Sequence, residues 1–273
     1  MTKSPTYTPE KRTISELLTL TNPPLVVPNW QRSYSWKSQH VETFWLDLMR
    51  SIDRDISEYF IGSIVIVNSK AGEYLLLDGQ QRMATSAILL SVIRDFLKRH
   101  NSSAAEDLHR KYLSDFDYDT ERTTYKISLN HYDREFFRRL ILTPKTDDYK
   151  EPAPEHASHH LILRARDYFA SKFEEVWSAG DNKKSYNWSL NVQKKLLRDF
   201  TLISVVSVDE DAAAEVFETL GPVDEVDSQP ARSVIQDWLL GGGLGSRFDD
   251  GRGVGVLCAF RGGDRRQAGP PAF

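Results

Sequence analysis

The amino-acid sequence predicts an α+β fold on two observations. Runs rich in β-branched and aromatic residues, bounded by turn signals, fall at residues 25–27, 59–67, 73–77 and 201–208. Longer segments between them space their apolar residues at helical intervals. Composition agrees: 273 residues, 40% hydrophobic and 27% charged, describe a globular chain of one large domain or two modest ones and argue against wholesale disorder.

Residues 11–20 predict a short helix, with Ile14, Leu17 and Leu18 at helical spacing. Leu25, Val26 and Val27 predict a short strand enclosed by Pro23, Pro24 and Pro28. Asn29-Trp30-Gln31-Arg32-Ser33-Tyr34-Ser35-Trp36 then mixes aromatic and polar residues as a plain loop does not. A helix is expected over 38–52, with Ser38 as its N-cap and Val41, Phe44, Trp45, Leu48 and Ile52 on one apolar face. Residues 59–67 read as a buried strand and 73–77 as its return, a hairpin turning at 68–72. From Gln80 to about His100 the period is helical, with Met83, Ala87, Leu90, Ile93, Arg94 and Leu97 on one largely apolar stripe.

Residues 101–200 are mostly helical in pattern and rich in charge. Helices are expected at 104–116, 134–142, 156–178 and 189–199, with 126–129 a short strand or extended lead-in. Pro152 and Pro154 mark a loop. Residues 201–208 return to β-branched alternation, and 209–220 predict a helix with Asp209, Glu210 and Asp211 at its positive end. After Leu220 the character changes. Residues 241–273 hold ten of the 15 glycines and the single cysteine, Cys258, with neither period, so an irregular tail is expected there.

A net charge of -4 and a pI near 6.0 argue against a generally basic nucleic-acid coat and leave a local basic groove open. One cysteine permits no internal disulfide framework. The polar N-terminus lacks the apolar core of a signal peptide, and no segment approaches the roughly 20 apolar residues of a membrane helix. A cytoplasmic, soluble protein with no membrane partner is the expectation.

The segment Leu75-Leu76-Leu77-Asp78-Gly79-Gln80-Gln81-Arg82 carries the chemistry. A strand ending in Asp78-Gly79 runs straight into a helix, whose first turn offers unpaired N–H groups and a positive dipole to an anion. Gly79 tolerates positive φ and close approach of a ligand. Arg82 offers a planar five-donor fork to phosphate, Gln80 and Gln81 can bond phosphate oxygens or orient a water, and Asp78 can hold a magnesium-bound water. The spacing is not that of a Walker A loop. The bland alternative is that Asp-Gly is a common turn and Asp78 only caps the helix. In the 31–36 stretch, Gln31 and Arg32 would face the same pocket and Tyr34 or Trp36 would stack on a base, unless the aromatics simply plug the core.

Taken together these features resemble a known family. Val27-Pro28-Asn29-Trp30-Gln31-Arg32-Ser33-Tyr34-Ser35-Trp36, Tyr59-Phe60-Ile61-Gly62-Ser63-Ile64-Val65, Asp78-Gly79-Gln80-Gln81-Arg82 and Val216-Phe217-Glu218-Thr219-Leu220 follow in the order of signatures of the N-terminal domain of GmrSD-type restriction endonucleases, within the ParB/sulfiredoxin-like superfamily. The resemblance covers roughly residues 10–220. It implies a small mixed sheet with packed helices plus a helical extension. That divides the chain into a ParB-like nucleotide-handling core (10–100), a helical extension (101–200), a strand and helix returning to the core (201–220) and an aberrant Gly/Arg-rich tail (221–273). It implies binding and hydrolysis of a nucleoside triphosphate with Mg2+, in phage defence against modified DNA. Asp78, Gln80, Gln81 and Arg82 would be the catalytic set, and Gln31, Arg32, Tyr34, Trp36 and Gly79 the nucleotide-binding set.

The sequence also departs from the family. The expected Asn-Asp-Arg-Gly after Leu220 is replaced by Gly221-Pro222-Val223-Asp224, and the tail reads as the product of a truncation or a shifted reading frame. Many relatives carry an HNH-type nuclease domain, for which no candidate is visible here; a separate nuclease subunit would supply cleavage. His156, His159 and His160 have helical spacing for a metal, but read better as a solvated helix start, so no metal site is expected. Residues 134–139 read as an amphipathic helix with Phe136, Phe137 and Leu140 inward, and Lys183-Lys184 and Lys194-Lys195 as solvated faces. Three functions compete: an NTPase domain gating restriction, a non-catalytic DNA-sensing module, and an inactive truncated remnant.

Overall fold

The computed structural model describes residues 7–19, 24–68, 73–117 and 121–207, all within the first of two compact units, Met1–Ala231. The expected helix at 209–220 and the tail at 221–273 lie outside the described residues. The chain runs β1 (Tyr7–Thr13), α1 (Ile14–Thr19), β2 (Leu25–Val26), α2 (Ser38–Asp53), β3 (Tyr59–Asn68), β4 (Tyr74–Asp78), α3 (Gln80–Lys98) and α4 (Ser102–Tyr112). It continues through β5 (Ser114–Asp117), β6 (Arg122–Tyr125), β7 (Ile127–Ser128), α5 (Arg134–Phe137), α6 (Ala157–Trp177), α7 (Asn182–Lys194) and β8 (Phe200–Ser207).

The expected α+β class is what the chain adopts. A mixed six-stranded sheet has the order β1-β8-β3-β4-β2-β7, and β5 and β6 form a separate antiparallel pair. The hairpin of β3 and β4 is antiparallel as expected, while β8 runs parallel to β3 and antiparallel to β1. Ile64 to Val67 on β3 and Thr201 to Val205 on β8 are buried at every position, so both faces of the central sheet are covered. Among the described residues no helix is long and apolar enough to cross a membrane.

Strand β1 takes residues 11–13 from the expected first helix. Tyr7 to Thr13 lacks apolar alternation and contains Pro9, which hides a strand from sequence reading. An edge strand tolerates both, because one of its sides needs no ladder partner. Helix α2 begins at Ser38, but its N-cap is Lys37, whose backbone N–H donates to His40 Nδ1 at 3.1 Å. The helix expected at 104–116 ends at Tyr112, and Ser114 to Asp117 turn out into β5.

Helix α3 is the axis of the molecule. The sequence suggested one apolar stripe, yet every residue from Gln80 to Leu97 except Asp95 is buried. It packs against α4, α6 and α7, so no face is left for water. Arg94 sits inside that core because its Nη1 donates to the carbonyls of Ile141 and Leu142, both at 3.2 Å. Those carbonyls end a π-helical turn, Arg138–Leu142, that continues α5 and would otherwise leave acceptors unpaired. Phe136, Phe137 and Leu140 point inward as expected.

A second π-helical turn, Lys195–Asp199, continues α7. Lys194 is exposed as expected, but Lys195 is buried and bridges Asp55 and Asp199, each at 3.0 Å. That pairing corrects its reading as a solvated residue: the Asp55 carboxylate and the Ile56 carbonyl of the loop after α2 take up the ammonium group. An aromatic cluster of Trp45, Phe96, Phe169, Phe173 and Trp188 fills the space between α2, α3, α6 and α7.

Two glycines set the junction of β4 with α3. Gly79 is the N-cap of α3 with φ at +83°, and a Cβ there would meet the Ser63 carbonyl oxygen at 3.1 Å. Gly62 has φ at +122°, and a Cβ there would lie 2.9 Å from Arg82 Cζ. The register of β3 against β8 shifts across the same stretch, between Phe60 and Ser63.

Gly79→Ala is expected to lower stability by about 1–2 kcal/mol from its left-handed backbone alone, read by urea denaturation; an equally stable variant would contradict this turn geometry. A second expectation concerns pH. Burial, reinforced by the positive charge of Arg94 and opposed by Asp95, pushes the His109 imidazole down from 6.5 to about 4. Between those values the unfolded chain takes up a proton that the folded chain refuses, so His109 costs stability as pH falls from 6.5 toward 4. The wild type should lose ground to His109→Gln over that window and not above it; parallel stability profiles would contradict it.

Candidate functional site at the start of helix α3

The β4–α3 junction gathers most of the residues singled out from sequence, but it divides them between two sides. On one side lies a small cleft, whose wall includes Arg32, Tyr34, Gln80, Gln81, Asn130 and Asp133. On the other side, Asp78 accepts from Ser63 Oγ at 3.3 Å, and Arg82 Nη1 donates to the Ser63 carbonyl at 3.2 Å. Burial pushes the Arg82 guanidinium down from its ordinary value, and the Asp78 carboxylate partly offsets this. Its charge therefore stands behind the turn, under Gly62. Gly79 carries no side chain, and no side chain caps the first turn of α3.

Gln31 joins the two sides. Its Nε2 donates to the Leu77 carbonyl at 3.0 Å, and its Oε1 accepts from Gln80 Nε2 at 3.5 Å. The remaining amide oxygen of Gln80 is buried and has no partner. Such an acceptor costs free energy unless something enters to donate to it. Gln81 is differently employed. Its Oε1 accepts from the Ser35 N–H at 2.8 Å and its Nε2 donates to the Ser33 carbonyl at 3.3 Å, so both ends of the amide hold the neighbouring loop.

The aromatic residues of that loop serve the fold. Tyr34 is buried, and its hydroxyl bonds Thr85 Oγ1 at 2.8 Å. Burial pushes its phenol well above the ordinary value, with the Thr85 bond acting the other way. Trp36 stacks on His40 and packs against Phe44, off the cleft. Arg32 is the exposed cation on the cleft wall.

Sequence reading missed the opposite wall. Asn130 Nδ2 donates to the Gln31 carbonyl at 2.9 Å and to Ser33 Oγ at 3.2 Å. Asp133 is fully buried; it accepts from the Tyr34 N–H at 2.7 Å and from Ser158 Oγ. A hydrogen bond to a buried carboxylate contributes about 1.5–3 kcal/mol. The contacts to Gln31, Ser33 and Tyr34 span about a hundred positions, so no local pattern announces them; the one hint was a polar Asn-His-Tyr-Asp run placed before an expected helix.

His159 corrects another expectation. It is not solvated: its ring stacks on Phe136, Nδ1 accepts from the Glu155 N–H at 3.1 Å, and Nε2 donates to the Tyr132 carbonyl at 2.9 Å. Nε2 thereby ties α6 to the Asn130–Asp133 loop, while Nδ1 holds the segment that leads into α6. Among the described residues no group of three or more His, Cys, Asp and Glu side chains converges as a metal site.

Comparison with known families agrees with the signatures on which this site is built. The family model of the GmrSD restriction endonuclease N-terminal domain matches residues 14–221, from the start of α1 to one residue past the point where the last signature breaks off. No curated protein matches the chain. With three quarters of its length covered and the β4–α3 junction inside the match, the chain belongs to the GmrSD restriction endonuclease N-terminal domain family.

Proposed function

We propose that this domain binds and hydrolyses a nucleoside triphosphate at the β4–α3 junction, as the nucleotide-handling part of a cytoplasmic, modification-dependent DNA restriction system. The observation that carries this reading is the convergence at one cleft of a helix N-terminus entered through a left-handed glycine, an exposed arginine and a buried amide oxygen without a partner. The first turn of α3 and Arg32 suit the charge of a phosphate chain. Gln80 suits a water held in line for attack. Arg82 contributes from behind the turn, as a buried positive charge that fixes Gly62 and Gly79. Tyr34 and Gln81 position Arg32 through the loop that they hold.

Magnesium takes one or two carboxylates together with phosphate oxygens and waters. Here Asp133 is fully buried with both oxygens held by the Tyr34 N–H and Ser158 Oγ, and Asp78 stands behind the turn on Ser63, so neither carboxylate is presented to the cleft and a magnesium would be carried by phosphate oxygens and water. When bound, the ion neutralises phosphate charge. Modified DNA and a separate HNH-type nuclease subunit are the partners that such a domain serves.

One observation favours a second reading, a DNA-sensing module without turnover. The cleft has room for about one water molecule, far less than the roughly 300–1,000 Å³ of ordinary ligand pockets.

Phosphate release from each of the four nucleoside triphosphates with magnesium tests the first reading. Arg32→Ala and Gln80→Ala should each lower kcat/KM by about tenfold or more while leaving the melting temperature in place. Arg32 is the better probe than Arg82, whose removal would also empty the space beneath Gly62. Turnover untouched by both variants would move the site elsewhere. A well-folded wild type that releases no phosphate but binds DNA with steep salt dependence would favour the second reading.

A further inference from the structure

We propose that Asp133 is a positioning residue for Arg32, and that its carboxylate is set by Ser158 in the first turn of α6, so that the helical extension governs the geometry of the cleft wall. The inference rests on the nucleotide reading above. Arg32, Tyr34, Asn130 and Asp133 all line the cleft, and the turn bearing Asn130 and Asp133 is tied to the loop bearing Arg32 by direct hydrogen bonds.

Asp133 stands at the N-cap of α5, where an aspartate ordinarily turns its side chain onto the helix's own N–H groups. It makes no such bond. It is fully buried, and each of its oxygens serves a distant segment instead. Oδ2 accepts from the Tyr34 N–H at 2.7 Å, 99 positions away, and Oδ1 accepts from Ser158 Oγ, 25 positions away. A carboxylate taken this far out of water depends on both donors, so moving one of them moves the group.

Arg32 lies between points that this turn holds. Before it, the Gln31 carbonyl accepts from Asn130 Nδ2 at 2.9 Å. After it, Ser33 Oγ accepts from the same amide at 3.2 Å, and the Tyr34 N–H donates to Asp133. The turn is closed on itself by the Asp133 and Arg134 N–H groups on the Asn130 carbonyl, at 3.1 and 2.9 Å, so Asn130 and Asp133 move together. It is fixed to α6 by Ser158, by the bond of His159 Nε2 to the Tyr132 carbonyl at 2.9 Å, and by the His159 ring lying flat on Phe136 with centroids 4.0 Å apart. Gln81 grips the same loop from α3, at the Ser33 carbonyl and the Ser35 N–H. The backbone of Arg32 is thus fixed between α3 on one side and the turn held by α6 on the other.

The test follows amide hydrogen exchange by NMR, without nucleotide, and phosphate release with magnesium. It uses the full chain, its Ser158→Ala and Asp133→Ala variants, and each of these combined with Arg32→Ala. Ser158→Ala removes one anchor of the carboxylate and little volume, so it decides the matter where Asp133→Ala fails to fold. Exchange at the Tyr34 amide should speed up about tenfold in Ser158→Ala, while amides in the middle of α3 keep their rates. The kcat/KM of the best-hydrolysed triphosphate should fall about tenfold, and Ser158→Ala should cost nothing further once Arg32 is replaced, because it acts through that side chain alone. Unchanged Tyr34 exchange in Ser158→Ala overturns the proposal. So does a rise shared equally by every amide, which is lost stability and nothing more, and so do losses from Ser158→Ala and Arg32→Ala that simply multiply. Each of these results leaves the nucleotide reading standing. A wild type that releases no phosphate removes that reading, and the role of Asp133 with it.

Discussion

The buried guanidinium of Arg82 beneath Gly62 is the contact on which the rest of this structure depends. It holds the bent part of β3 against the first turn of α3, where Gly79 must adopt a left-handed backbone to carry the chain from β4 into the helix. A charge taken out of water this far is tolerated only when its donors and its countercharge are in place. The Ser63 carbonyl and the Asp78 carboxylate meet those needs. Two separated sequence signatures, one centred on Gly62 and one on Gly79, are thus two halves of a single packing arrangement. The first has no side chain because the arginine of the second fills that space.

The same junction explains why the site can be rigid without being large. Gln31 bridges the strand end to Gln80, Gln81 grips the loop at Ser33 and Ser35, and Asn130 and Asp133 close that loop from the other side. Nearly every polar atom in the assembly is satisfied by another part of the chain. The exception, Gln80 Oε1, lies on the cleft wall, where an incoming ligand or water can donate to it. Preorganisation of this kind lowers the cost of binding a charged ligand, because few side chains remain to be ordered. A chain with net negative charge can still present a positive local field at this point, from one helix end and one exposed arginine.

Much of the fold and part of the site were legible in the sequence. Strands β3, β4 and β8 announce themselves through β-branched runs, and α2, α3 and α6 through helical spacing of large apolar residues. The β4–α3 turn was legible because Asp78-Gly79 between a strand and a helix has a narrow range of conformations. What escaped was whatever depends on a distant partner. Edge strand β1 has no pattern of its own and is a strand because β8 lies beside it. Lys195 reads as solvated until the loop at Asp55 and Ile56 closes on it, and His159 until Tyr132 and Phe136 enclose it.

The sequence by itself determined the class of fold, the order of the main elements and the glycine turn that leads from β4 into α3, since each rests on local periodicity or on the backbone freedom of glycine. Only the tertiary structure decided which side chains share the cleft. It turned Arg82 and Asp78 behind the turn, left Arg32 exposed on the cleft wall, buried Tyr34 and brought Asn130 and Asp133 across about a hundred residues to close the wall. The physical reason is that side-chain direction at a strand–helix junction follows from what packs on each face. That packing is settled by segments far away in the chain.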